Sequence, residues 1–141
     1  MKNLFLDTNV VIDFLVNREP FAENAEKIFN HSFKKRINIF ISAITYNNIF
    51  YILRKEYSQK QTIKCLVDLM KITEVIGVTK SILESSLKSE FNDFEDAIQY
   101  YSATSINKMD VIVTRNIKDF KKSDLPVLTP DEVISIITNG N

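Results

Sequence analysis

Three segments of this sequence carry oxygen-bearing side chains in patterns that could do chemistry. The first is MKNLFLDTNVVIDFL, where Asp7, Thr8 and Asn9 interrupt an apolar run. The second is NDFEDAIQYY, with Asp93, Glu95 and Asp96, and the third is VTRNIKDF, with Thr114, Arg115, Asn116 and Asp119. An amide pair, Asn47 and Asn48, lies in ITYNNIFYIL. Carboxylates gathered at one place raise one another's pKa unless a cation sits among them. Mg²⁺ and Mn²⁺ take hard oxygen ligands, usually a few carboxylates completed by waters and a substrate phosphate. Such ions orient and deprotonate a water and steady the leaving oxygen of a phosphodiester. The acidic segments hold no His or Cys, so their donors suit metal-dependent phosphate chemistry and argue against zinc.

Each residue also has a plainer reading. Asp7 suits the cap of a helix beginning at Val10, because Asp is among the preferred caps. Asp93 and Asp96 have the spacing of a capping pair, and both suit the positive end of a helix dipole. Capping is the better reading for Asp93; Asp96 stays open. Asp119, in a lysine-rich loop, reads equally as a surface charge. His31 has no partner in sequence and is given no role. Phe91, Phe94, Tyr100 and Tyr101 could stack on bases, but aromatic residues at helical spacing usually belong to a core.

To act together, these segments need a scaffold that brings distant chain to one edge. Short apolar runs at 3–6, 37–41, 74–78, 111–114 and 127–129 read as buried parallel strands. Between them, Phe21, Ala25, Ile28, Phe29 and Phe33 recur at helical spacing, with Glu23 and Lys27 one turn apart. Residues 42–57 are apolar nearly all round and predict a buried helix. Further helices are expected over 58–71, 80–88 and 94–108, and a last one starts at Pro130, proline's favoured first position. Strands alternating with helices imply right-handed crossovers and a parallel sheet covered on both sides. Sites in such sheets form at the carboxyl ends of strands, where the strand order reverses. Asp7 and the Ser42 segment follow predicted strands, and Thr114 closes one.

The chain's 141 residues fit one domain, 1–141. Apolar residues make up 45% and charged residues 26%, and the 2 glycines and 3 prolines leave little for disorder. The 18 basic and 18 acidic residues balance, which excludes a general nucleic-acid coat but allows local patches such as Lys118, Lys121 and Lys122. The single Cys65 reads as a buried thiol in a reducing compartment. Neither a membrane span nor a signal peptide is apparent, so a cytoplasmic protein is expected.

The set LDTNVVIDFL, ISAITYNNIFYIL, FEDAIQYYSA and VIVTRNIKDF, in this order and spacing, resembles the PIN-domain family, and more narrowly VapC-type toxins. The resemblance covers nearly the whole chain. It implies a three-layer α/β/α fold with a five-stranded parallel sheet flanked by helices. It also implies Mg²⁺- or Mn²⁺-dependent cleavage of RNA, a small antitoxin partner and a homodimer. Carried over by position, the family's first acid is Asp7, with Thr8 as its hydroxyl-bearing neighbour. The second, a glutamate in the helix after the second strand, falls on Asn48. The third falls on Asp96, and the fourth, directly after Thr-Arg, falls on Asn116, with Asp119 as a stand-in. Two of the four acids are thus amides, which accept a metal bond or hold a water but bring no charge.

On this basis Asp7, Asp96 and Asp119 are expected to bind the metal, and Asn48 and Asn116 to position water beside it. Thr8 and Thr114 are expected to orient water or the scissile phosphate, and Arg115, Lys118 and Lys121 to hold RNA backbone. A second reading is a catalytically degenerate member that binds RNA or protein. A third makes Asp7 a nucleophile, as in haloacid-dehalogenase-type phosphatases. Those need an acid two residues on, where this sequence has Asn9.

Overall fold

In the computed structural model, which describes residues 2–140, the apolar run Asn3–Leu6 forms strand β1. Leu4 and Leu6 enter one core and Phe5 another, the two-residue alternation of extended backbone. A strand buried on both faces must be central, and β1 is. β2 (Asn38–Ser42) and β4 (Val111–Val113) pair with it in parallel on either side. β3 (Glu74–Ile76) and β5 (Val127–Leu128) form the edges, giving the order β3-β2-β1-β4-β5, parallel throughout.

Parallel neighbours require crossovers, and helices supply them. They are α1 (Thr8–Leu15), α2 (Ala22–Phe33), α3 (Ala43–Leu53), α4 (Gln59–Ile72), α5 (Lys80–Lys88), α6 (Phe94–Thr104) and α7 (Pro130–Asn139), with a 3-10 turn over Ile117–Phe120. One core joins Leu4, Leu6, Ile39, Ile41, Val111 and Val113 to α1, α2, α3 and α7. The opposite core joins Phe5 and Ile112 to Tyr100 and Ala103 of α6 and to Phe120. The three-layer α/β/α arrangement is therefore the one the resemblance implied.

Several element ends differ from the sequence expectation, each for a local reason. α1 starts at Thr8, not Val10, directly after Asp7, the cap the sequence suggested. The helix expected over 42–57 runs only from Ala43 to Leu53: Ser42 Oγ caps its start, and Arg54 Nη1 donates to Tyr57 O (2.8 Å) in the turn that follows. It is not buried all round, since Tyr51 is 64% exposed while Thr45, Ile49 and Leu53 face the core. The helix expected over 94–108 stops at Thr104, where Ser105 Oγ donates to Ser102 O (2.7 Å). Cys65 is half-buried, packed against the larger core. No helix among the described residues is long and apolar enough to cross a membrane.

Candidate active site

The chain leaves β1 toward β2 on one side and returns to β4 on the other, so the strand order reverses between β1 and β4. That is where a crevice opens in a parallel sheet. The Asp7 backbone N–H donates to Val113 O (3.0 Å), which fixes Asp7 beside the end of β4. The Asp7 side chain is 6% exposed and accepts four hydrogen bonds. Oδ1 takes Thr8 N–H (2.7 Å) and Gln99 Nε2 (2.8 Å); Oδ2 takes the Thr114 hydroxyl (2.7 Å) and Asn9 Nδ2 (3.1 Å). Burial pushes the Asp7 carboxyl above its ordinary range, and the bonds from Thr114, Thr8 and Gln99 oppose that rise. One carboxylate thus both caps α1 and joins the end of β4 to α6.

Helix α6 delivers the other acids. Asp93 caps it, Oδ1 accepting from Asp96 N–H (2.9 Å), as the sequence favoured. Glu95 and Asp96 follow in the first turn, both half-buried. Glu95 is raised by burial and then by the charges of Asp7 and Asp93. Asp96 is pushed up to about 7, by burial first and then by Asp93, Asp7, Asp119 and Glu95. Carboxylates from three separated segments therefore share one field. As their side chains stand, no group of three or more His, Cys, Asp or Glu among the described residues is close enough to grip one ion. The donors are all oxygen and mutually repulsive, which suits a hard divalent cation. Two buried amide atoms, Gln99 Oε1 and Asn48 Nδ2, lack hydrogen-bond partners within this neighbourhood.

The remaining predicted residues take varied positions. Asn48, on α3, lies beside Glu95 and opposes its pKa rise without forming a hydrogen bond of good geometry. Asn116 is exposed, its backbone N–H donating to Thr114 Oγ1 (3.1 Å). Thr114 is fully buried with its proton committed to Asp7, and Thr8 Oγ1 is shared between Thr45 Oγ1 (2.9 Å) and Gln99 Nε2 (3.1 Å). Both hydroxyls thus engage neighbouring side chains. Lys118, Asp119 and Lys121 are exposed and line, with Asp93, Asp96 and Lys122, a groove of 280 Å³.

Arg115, expected to hold RNA backbone, has its partners within the protein. Its Nε and Nη2 donate to Asp13 Oδ2 (2.7 Å) and Oδ1 (3.3 Å), and its guanidinium lies 3.9 Å over the Phe21 ring. Asp13, 1% exposed, needs that cation: burial raises its pKa, and Arg115 and then Arg18 oppose the rise. Arg115 is a brace between α1 and the loop after β4. The sequence reading missed Asp13, and gave no role to Glu95 or Gln99. Signals existed: Asp13 is an acid within the apolar VVIDFL, and Gln99 lies four residues after Glu95, on the same helix face.

Residues 3–118 match the family described as PIN domain. Several solved structures are similar over most of their length. In a toxin–antitoxin complex from Klebsiella pneumoniae, the similar chain is 26% identical with a TM-score of 0.66, the match covering 90% of this chain and 97% of that one. A DNA-bound VapBC from Salmonella typhimurium gives 19% identity and 0.69, over 92% and 99%. VapC20 from Mycobacterium tuberculosis, a sarcin–ricin loop cleaving toxin, gives 12% and 0.60, over 77% and 86%. No curated protein matches this chain at a significant level.

Proposed function

This chain belongs to the PIN-domain family, and on that premise we propose that it is a Mg²⁺- or Mn²⁺-dependent endoribonuclease, the toxin of a toxin–antitoxin pair. The observation that carries the reading is the shared field of Asp7, Glu95, Asp96 and Asp119 where the strand order reverses, with Asp96 pushed up to about 7 by burial first and then by its acidic neighbours. Asp7, Asp96 and Glu95 would hold the ion. Glu95 brings the charge that Asn48 lacks, from a different helix. A bound divalent ion supplies charge neutralisation and a more acidic water.

The chain's own residues do the positioning. Thr114, Thr8 and Asn9 fix the Asp7 carboxylate, and the Asp13–Arg115 pair fixes the loop carrying Asn116 and Asp119. Asn116, exposed at the mouth, would orient an attacking water or a phosphate oxygen. Lys118 and Lys121 flank the groove and would hold the RNA backbone, a contact weakened by salt. An RNA phosphate entering among these acids would be repelled until a cation offsets them. The reading places the protein in the cytoplasm, with an antitoxin partner and a second copy. Ile63, Val67 and Met70, exposed along one face of α4, offer apolar surface for either.

Purified protein incubated with several RNAs should cleave with Mn²⁺ and stop with EDTA, and Asp7→Ala should be inactive. Equal cleavage by wild type and Asp7→Ala would dispose of the reading. The amides at positions 48 and 116 favour a second reading, a degenerate RNA- or protein-binding module. If only the doubly substituted Asn48→Glu, Asn116→Asp protein cleaves, that second reading holds.

A further inference from the structure

Gln99 is wholly buried among acids, yet carries no charge. Its Nε2 lies 2.8 Å from Asp7 Oδ1, 3.1 Å from Thr8 Oγ1 and 3.2 Å from Glu95 Oε2. Its Oε1 is buried without a partner. The orientation follows from charge, since Oε1 turned toward two carboxylates would bring oxygen against oxygen with no proton between. An amide NH₂ has two protons, and here three oxygens surround it. Two of those oxygens belong to carboxylates on different elements, β1's end and α6. Oxygens from separate segments converging on one electropositive atom are the surroundings of a small cation.

We propose that Gln99 Nε2 occupies the seat of the divalent ion in the metal-free protein, and that the ion binds by displacing this amide. The inference rests on the metal-dependent reading and adds a residue that reading does not contain. The amide stands between Asp7 and Glu95 and holds those two carboxylates at hydrogen-bond rather than coordination distance. The orphaned Oε1 keeps the plug loose, because half of the amide gains nothing by staying. Gln99 is then a positioning residue that sets metal affinity by competing with the ion for the same oxygens.

A purely structural Gln99, present only to satisfy Asp7, makes the opposite forecast for an isosteric apolar replacement. Mn²⁺ affinity, read from the free-ion paramagnetic resonance signal, is compared for wild type and Gln99→Met without RNA. In parallel, the side-chain amide resonances of ¹⁵N-labelled wild type are followed through a Mg²⁺ titration. Displacement predicts about 10-fold tighter Mn²⁺ binding by Gln99→Met, the order expected when hydrogen bonds to charged groups no longer compete. It also predicts that the Gln99 amide protons shift and lose exchange protection as Mg²⁺ saturates. Equal or weaker binding by Gln99→Met, with wild type binding normally, overturns the plug and leaves the metal reading standing. A Gln99 amide unmoved at saturating Mg²⁺ does the same, and needs no variant to fold. If neither protein binds Mn²⁺, both the plug and the metal reading fail.

Discussion

Asp96→Asn should stabilise the metal-free protein above pH 7 while abolishing its response to Mg²⁺. The folded carboxyl titrates at about 7, against an ordinary 3.8. Between those values the folded protein keeps a proton that the unfolded chain has released, so stability falls as pH rises through that window. The penalty is complete above about pH 7 and absent below about pH 4. At about 1.4 kcal/mol per pH unit the displacement sets a ceiling of about 4 kcal/mol. Asp96 is half-buried, and solvent screens its neighbours' charges, so about 1–2 kcal/mol is the expected share. For a chain of this size that is a rise in Tm of roughly 3–8 °C at pH 8 in EDTA. Asn is nearly isosteric and leaves the capping bond to the residue 96 backbone N–H intact. Differential scanning calorimetry at pH 4.5 and pH 8, with EDTA or 5–10-fold excess Mg²⁺, measures all four corners. The reasoning is refuted if the two proteins melt together at pH 8 in EDTA, because Asp96 would then feel no crowded field. It is equally refuted if Mg²⁺ stabilises Asp96→Asn as much as wild type.

Other substitutions probe the supports. Arg115→Ala leaves Asp13 buried with only Arg18, 3.8 Å away, and should cost about 3 kcal/mol in urea unfolding; a loss below about 0.5 kcal/mol would show that the pair is not a brace. Thr114→Val removes the 2.7 Å bond to the buried Asp7 carboxylate and should cost about 1.5–3 kcal/mol near neutral pH, with Asp7's pKa moving further upward by side-chain carboxyl NMR. Lys118→Ala with Lys121→Ala should weaken RNA binding about equally across sequences and reduce the slope of log affinity against log salt by roughly 2, read by filter binding in Mg²⁺. Unchanged salt dependence would remove those lysines from the interface.

The scaffold was legible where hydrophobic pattern and chain punctuation agree. β1 is a short apolar run stopped by Asp7, and α7 opens with Thr129, Pro130 and Glu132, a capping box with proline at the first turn. It was less legible at helix ends that carry no Gly or Pro. α3 ends at Leu53 through a side-chain bond from Arg54, and α6 at Thr104 through hydroxyls, neither of which a pattern of apolar residues encodes. Asp7 and Asp96 could be read because each follows a strand end or opens a helix at a recognisable motif. Arg115 could not, because its partner lies 102 residues away in the chain, and Gln99 showed only its neighbour Glu95, not Asp7, 92 residues away. Thr114 illustrates the same limit: its type suggested water handling, but only its burial reveals that its one proton belongs to Asp7.

The strand order has a consequence for how such a protein is made. β1, its first strand, sits at the middle of the sheet and takes β4, its fourth, as a direct neighbour. During synthesis one flank of β1 therefore stays unpaired until residue 113 has cleared the ribosome, and Asp7 has neither Val113 O nor the Thr114 hydroxyl to lean on until then. The pocket comes into being only once β4 and Thr114 have been made. Truncated products ending before β4 lack the wall opposite Asp7, so an unfinished copy has no formed pocket.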